Sequence, residues 1–320
     1  MNKFISFLNL IRFNNLLIVI LTQIVIKIFL IDAYLNNSAL SILQFCLYLL
    51  ALISVVAGGY IINDICDIEI DKINKPSTRI INKEISVMFA MRIYYITNFI
   101  GVTISFFVAH NINRFSFGFI FIFMAFSLWK YSKEYKTKFL IGNLQVAFLT
   151  ALSIIIIALF DILPLGISNN NGTKIIFNII LLYAGFSFVI TLIREIIKDL
   201  EDTEGDQKIG ANTLAIEYGI KKTKQIIAFL ILIPIFGVGY FQYFQYSVLN
   251  SQFSIEINYW GVNPIEVLYT SLIQILLIIL LRNIGRAKTK ANFHKLSKLC
   301  KAIMILGILS IPLFHFLYQI

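Results

Sequence analysis

Charge is scarce in this 320-residue sequence, and acid is scarcer than base: 17 Asp and Glu stand against 27 Lys and Arg, for a net charge of +10. Charged residues make up 14% of the chain, where a soluble domain carries roughly 25%. That shortage, beside 58% hydrophobic residues, excludes an ordinary soluble fold and places the chain in a bilayer. Cysteine and histidine are few: Cys46, Cys66 and Cys300, with His110, His294 and His315. Their spacing makes neither a disulfide framework nor a zinc site, and argues against haem or zinc chemistry. Cys66 reads as a packing residue. Strict apolar–polar alternation is missing, which rules out a membrane β-barrel. The N-terminus has no small-residue cleavage site, so no cleavable signal peptide is expected.

What is present is a series of nine continuous apolar runs, at about 14–33, 41–62, 88–110, 115–131, 139–162, 174–197, 225–247, 264–281 and 299–318. Each is long enough to span a membrane as a helix. The expectation is an all-α polytopic protein with nine transmembrane helices, a single membrane-embedded domain over 1–320. With nine spans, 24 of the 27 basic residues fall on the side of the N-terminus, leaving Lys27, Arg114 and Lys174 for the other. Such a bias predicts a cytoplasmic N-terminus in the cell (inner) membrane. Basic loops of this kind follow topology and lipid headgroups, so no nucleic-acid partner is expected. The outward loop 164–172 reads as a plain connector. The segment from Asn250 to Pro264, with Tyr259 and Trp260, reads as interfacial.

The rare acids are not spread evenly. Ten of the 17 sit in two windows, one from Asn63 to Asp71 and one from Glu195 to Asp206. Asp64, Asp67 and Asp71 step by three and four; Glu195, Asp199, Asp202 and Asp206 step by four, three and four. On a helix each set shares one face, where like charges repel. A divalent cation reverses that repulsion, and Mg²⁺ prefers oxygen ligands completed by substrate phosphate. Lys75 and Arg79 follow the first window, and Arg194 and Lys198 interleave with the second; arginine in particular grips phosphate oxygens. Acids at a membrane edge are functional more often than structural, and two facing clusters suit a Mg²⁺–diphosphate site on a lipid diphosphate. Glu201 and Glu204 fall off the shared face and read as solvated. The charged stretch 200–222 is long enough to cap the site.

The stretches Asn63-Asp64-x-x-Asp67-x-x-x-Asp71 and Asp199-x-x-Asp202-x-x-x-Asp206 resemble the two aspartate-rich motifs of the UbiA superfamily of intramembrane prenyltransferases. Arg12-Phe13-Asn14-Asn15 is similar to that family's Arg-Pro-x-Asn, with Phe13 in place of proline. Tyr131-Ser132, Lys136 and Gly142-Asn143 resemble its fourth loop and fifth span. The resemblance implies transfer of a polyprenyl group from an allylic diphosphate, with Mg²⁺ held by Asp64, Asp67, Asp71, Asp199, Asp202 and Asp206. It further implies that Asn63, Arg79, Lys136, Arg194 and Lys198 engage the diphosphate or its metal, with Asn15, Tyr131 and Asn143 also binding substrate. The departing diphosphate leaves an allylic cation, which aromatic faces stabilise.

For the acceptor, Ile73-Asn74-Lys75-Pro76 resembles the branch that holds chlorophyll synthases together with enzymes that prenylate glycerol-phosphate lipids, and the run Arg194 to Asp206 is most similar to the latter. The chain departs from that branch after Arg79, where Ile80-Ile81-Asn82-Lys83 replaces a proline-rich turn. The alternative is C–C prenylation of an aromatic quinone precursor, of 4-hydroxybenzoate or naphthoate type. A different class, a secondary transporter, would place its acids near the midplane and show inverted repeats. Here both windows end spans on one face.

Overall fold

A computed structural model describes residues 3–35, 37–74, 79–166, 171–208, 210–250 and 264–318. Lys75 and Pro76, part of the 164–172 loop, and Tyr259 with Trp260 lie outside the described residues. Nine helices among the described residues are long and apolar enough to cross a membrane. In chain order the helices are α1 (Lys3–Leu10), α2 (Phe13–Tyr34), α3 (Ile42–Cys66), α4 (Ile68–Asn74), α5 (Val87–Asn111), α6 (Phe115–Tyr135), α7 (Ile141–Leu165), α8 (Asn171–Lys208), α9 (Leu214–Glu217), α10 (Gly219–Asn250), α11 (Pro264–Arg286) and α12 (Lys290–Tyr318). Several of the nine reach beyond the apolar runs that announce them, and three of these extensions carry charged residues of interest. α3 carries Asn63, Asp64 and Cys66; α8 carries the whole second acidic window; α12 begins inside the basic stretch.

Local chemistry sets the helix ends. Ser41 starts α3 with a reciprocal capping box: Gln44 N donates to Ser41 Oγ (3.3 Å) and Ser41 N donates to Gln44 Oε1 (2.8 Å). Ser86 caps α5 through Phe89 N (3.3 Å). Arg12 separates α1 from α2 in the left-handed region, at φ 49°, a conformation that costs a non-glycine residue about 1 kcal/mol or more.

α8 is the spine of the bundle. Its first half (Ile176, Ile180, Ala184) packs in one apolar core with α2, α3, α5, α6 and α7. Its second half (Ile190 to Leu200) packs in another with α10, α11 and α12. A small third core of Leu10, Ile61, Ile81, Ile85 and Ala90 underlies the first acidic window. Between α4 and α5 the chain turns tightly through Asn82 (φ 62°), bringing Ile81 opposite Ile85. This turn stands where the proline-rich pattern is replaced. Cys66 does not pack as expected but is exposed, because it is the last residue of α3.

A buried ion pair closes the opposite end. Within a π turn over Lys27–Ile31, Lys27 Nζ donates to Asp161 Oδ2 (2.7 Å), Asp32 Oδ1 (2.8 Å) and the Leu40 carbonyl (3.3 Å). Leu40 N donates to Asp161 Oδ1 (2.7 Å).

Candidate active site

At the end of the bundle that gathers the acids, α2, α3, α4, α6, α7, α8 and α12 enclose a chamber of about 460 Å³. All fourteen residues expected from the sequence line it: Asp64, Asp67, Asp71, Asp199, Asp202, Asp206, Asn63, Arg79, Lys136, Arg194, Lys198, Asn15, Tyr131 and Asn143. Its deeper wall is apolar, with Ile18, Val19, Val56, Met124, Leu128, Val146 and Leu149. Tyr60 and Tyr131 also line it. The chamber thus pairs a charged mouth with an apolar floor, the division an amphiphile with a diphosphate head requires.

The first window is not one continuous helix. Asp67 ends α3 with φ −88° and ψ 6°, and the chain resumes as α4. Near-helical hydrogen bonds still run from Asp67 N to Asn63 O (2.9 Å) and from Asp71 N to Asp67 O (2.8 Å), keeping the acids on one side. Asn63 Nδ2 donates to Asp67 Oδ2 (2.8 Å), and Lys136 Nζ donates to the same oxygen. Asp67 is therefore buried but paired. Asp64 accepts from Arg12 Nη2 (2.9 Å), whose guanidinium lies over the Tyr60 ring at 4.9 Å. Burial works against the Arg12 charge, yet Asp64, with a smaller contribution from Tyr60, holds it above its ordinary value.

Lys136 reaches Asp67 because α6 ends in a π turn over Tyr131–Tyr135, which re-aims the chain just before it. The next helix approaches closely at Gly142. A Cβ there would lie 2.7 Å from the Tyr135 carbonyl oxygen, a contact only glycine avoids. That approach seats Asn143, whose Nδ2 donates to Asp199 Oδ2 (2.8 Å).

On α8, Glu195 is buried and accepts from Arg194 Nη1 (2.6 Å) and Lys198 Nζ (2.9 Å). The two cations expected at phosphate thus share one carboxylate. Asp202 meets Lys290 at 3.5 Å. Glu204 is exposed as expected, but Glu201 is partly buried and faces His294 Nδ1 at 3.0 Å, because α12 begins early enough to supply that histidine. The described residues of 200–222 are mostly helical. Asn212 N donates to Thr137 O (2.8 Å), and Ala211 lines the chamber.

Three chamber residues carry no functional signal of their own in the sequence: Arg12 enters only as part of a motif, Tyr60 is one aromatic among many, and Lys301 falls among basic residues that follow topology. Lys301 Nζ donates to Asn15 Oδ1 (2.8 Å), joining the last helix to the first span. A contact across 286 positions leaves no local pattern to find.

Among the described residues no three His, Cys, Asp or Glu side chains converge as a ready-made metal site. The donor set nevertheless suits Mg²⁺, which keeps several waters and takes one or two carboxylates plus phosphate oxygens. Six aspartates on facing walls offer hard oxygen ligands in that divided form.

The pattern of the UbiA prenyltransferase family matches residues 25–254. A digeranylgeranylglyceryl phosphate synthase of Sulfurisphaera tokodaii is 34% identical over 259 residues, 80% of this chain and 83% of that one. A solved digeranylgeranylglyceryl phosphate synthase superposes with TM-score 0.62 at 27% identity, over 98% of this chain and 99% of that one. A UbiA homologue from Archaeoglobus fulgidus, bound to GPP and Mg²⁺, shares the fold with TM-score 0.55 at 15% identity, over 96% and 99% of the two chains. Motifs, nine-helix fold and relatives agree: the chain is an integral membrane prenyltransferase and belongs to the UbiA family.

Proposed function

We propose that this protein transfers a geranylgeranyl-type group from an allylic diphosphate to the hydroxyl of a glycerol-phosphate lipid, as a single catalytic domain whose site faces the cytoplasm. The observation that carries it is the chamber itself: two rows of aspartates and six expected or newly found cations (Arg12, Arg79, Lys136, Arg194, Lys198, Lys301) line it above an apolar floor. The names of the Sulfurisphaera relative and of the solved synthase support the lipid acceptor.

In this reading Asp64, Asp67 and Asp71 on one wall and Asp199, Asp202 and Asp206 on the other hold Mg²⁺. Bound Mg²⁺ would neutralise charge accumulating on the departing diphosphate. Arg79, Lys136 and Lys198 bind phosphate oxygens, and Asn63 and Asn143 orient Asp67 and Asp199. The C1–O bond breaks with its electron pair leaving on the diphosphate. The ring faces of Tyr60 and Tyr131 attract the allylic cation, and the apolar floor keeps water from it. The acceptor hydroxyl oxygen then attacks C1 and releases its proton.

The test is transfer of radiolabelled geranylgeranyl diphosphate by the purified protein, with and without Mg²⁺. Geranylgeranylglyceryl phosphate and an aromatic quinone precursor would compete as acceptors, with Asp67→Ala and Asp202→Ala as controls. Mg²⁺-dependent ether lipid, absent in both variants, is expected. Product with the aromatic acceptor alone would replace the lipid reading, and activity surviving both substitutions would sink the diphosphate site.

A further inference from the structure

We infer that the chamber has a second anion site, at Lys301, Arg194 and Asn15, which binds the acceptor's own phosphate and so selects a phosphate-bearing acceptor. This rests on the acceptor class proposed above and adds residues to it.

Depth is the first argument. Arg194 precedes Asp199 by five residues on α8, which at 1.5 Å per residue sets it about 7.5 Å further into the bundle. Asn15 lies three residues past Arg12 on α2, also one turn inward. Lys301 meets Asn15 at 2.8 Å. One turn deeper still, Thr191 Oγ1 donates to Met304 Sδ (3.9 Å), and the hydroxyls of Thr150 and Ser153, which also line the chamber, donate to carbonyls of their own helix. Lys301, Arg194 and Asn15 therefore form a polar shelf below the aspartates and above the apolar floor. In a glycerol-phosphate acceptor only a few bonds separate phosphate from the attacking hydroxyl. A phosphate on this shelf keeps that hydroxyl beside C1 while the diphosphate sits among the acids.

Charge is the second argument. Arg12 is paired with Asp64 and Lys136 with Asp67. Arg194 and Lys198 share Glu195. Lys301 forms no ion pair among the described residues; its partner is the neutral Asn15. Arg194, Lys198 and Lys301, with Glu195 as the acid that the first two share, thus carry an excess of two positive charges. A phosphate monoester near neutral pH carries about −1.5 to −2; an aromatic carboxylate carries half of that. The third argument is hydrogen bonding. Arg194 Nε is buried and finds no acceptor among the described residues, which is costly for a guanidinium N–H unless a ligand oxygen receives it.

The experiment is steady-state kinetics of the full protein and of Lys301→Gln and Lys301→Arg, with geranylgeranyl diphosphate as donor. Two acceptors are compared, geranylgeranylglyceryl phosphate and the same glycerol ether without phosphate. Removing a charged hydrogen-bond donor should raise the KM for the phosphorylated acceptor about tenfold or more in Lys301→Gln. The donor KM should stay within about twofold, and Lys301→Arg should recover most of the loss. The defect should collapse when the acceptor lacks phosphate. An unchanged acceptor KM, an equal defect on both acceptors, or a defect confined to donor KM would each overturn the inference. If the wild type makes no ether with the phosphorylated acceptor but prenylates an aromatic ring, the acceptor class itself fails, and the second site with it.

Discussion

At one end of α2 Lys27 is surrounded by three oxygens from Asp161, Asp32 and Leu40, within 3.3 Å of each, and Asp161 takes a further N–H from Leu40. At the other end, fifteen residues and roughly 22 Å away, Arg12 pairs with Asp64 at the rim of a 460 Å³ chamber. The side chains are of the same kinds. At the Lys27 end the ammonium meets three oxygens and both Asp161 oxygens are engaged. At the chamber end six aspartates and several cations face a void, two cations share Glu195, and Lys301 pairs with no acid among the described residues. The contrast separates charge that ties helices together from charge arranged for a ligand. A membrane protein tolerates both, but only the second leaves electrostatic work undone in the free protein.

The comparison breaks first at Lys27. Lys27→Met leaves Asp161 and Asp32 uncompensated and should cost about 3–5 kcal/mol of stability. Thermal unfolding in detergent measures that loss, while turnover of the protein that remains folded should change less than about twofold. A fall in turnover without loss of stability would erase the distinction between the two ends.

Asp67→Asn is the mirror experiment. It should lower kcat about 10²–10³-fold and move the thermal midpoint by no more than about 3 °C. A large drop in the midpoint with near-normal turnover would make Asp67 a structural partner of Lys136 and nothing more.

Gly142→Ala sharpens the contrast at smaller scale. The added Cβ would press on the Tyr135 carbonyl, 2.7 Å away, and relief by backbone movement would displace Lys136 and Asn143. Turnover should fall about tenfold through misplacement alone, with a stability cost of about 1–3 kcal/mol. Equal kinetics in the two proteins would show that the α6–α7 loop does not position the site.

Much of this was legible in the residues. Nine apolar runs became nine spanning helices because a helix in lipid must satisfy its backbone internally and announces itself by length. The steps of three and four among the aspartates survived folding as rows on chamber walls. The boundaries were less legible: α8 continues to Lys208 and α12 starts at Lys290 because helices persist beyond the hydrocarbon once charged residues reach water. Partners distant in sequence were not legible at all. Arg12–Asp64, Lys27–Asp161 and Lys301–Asn15 join positions 52, 134 and 286 apart. Nothing periodic in one sequence marks such pairs. Nor did the spacing reveal that Arg194 and Lys198 would divide one glutamate, or that Glu201 would find His294.

The length of α8 bears on how greasy molecules are handled. At 38 residues it extends about 57 Å, nearly twice the thickness of a hydrocarbon slab. The part of it beyond the apolar run is the part that carries the second aspartate row. The reacting heads can therefore meet at the level of the lipid phosphates while their tails stay immersed. Drawing a polyprenyl chain into water costs on the order of 0.8 kcal/mol for each CH₂, a penalty that a site at the water's edge avoids.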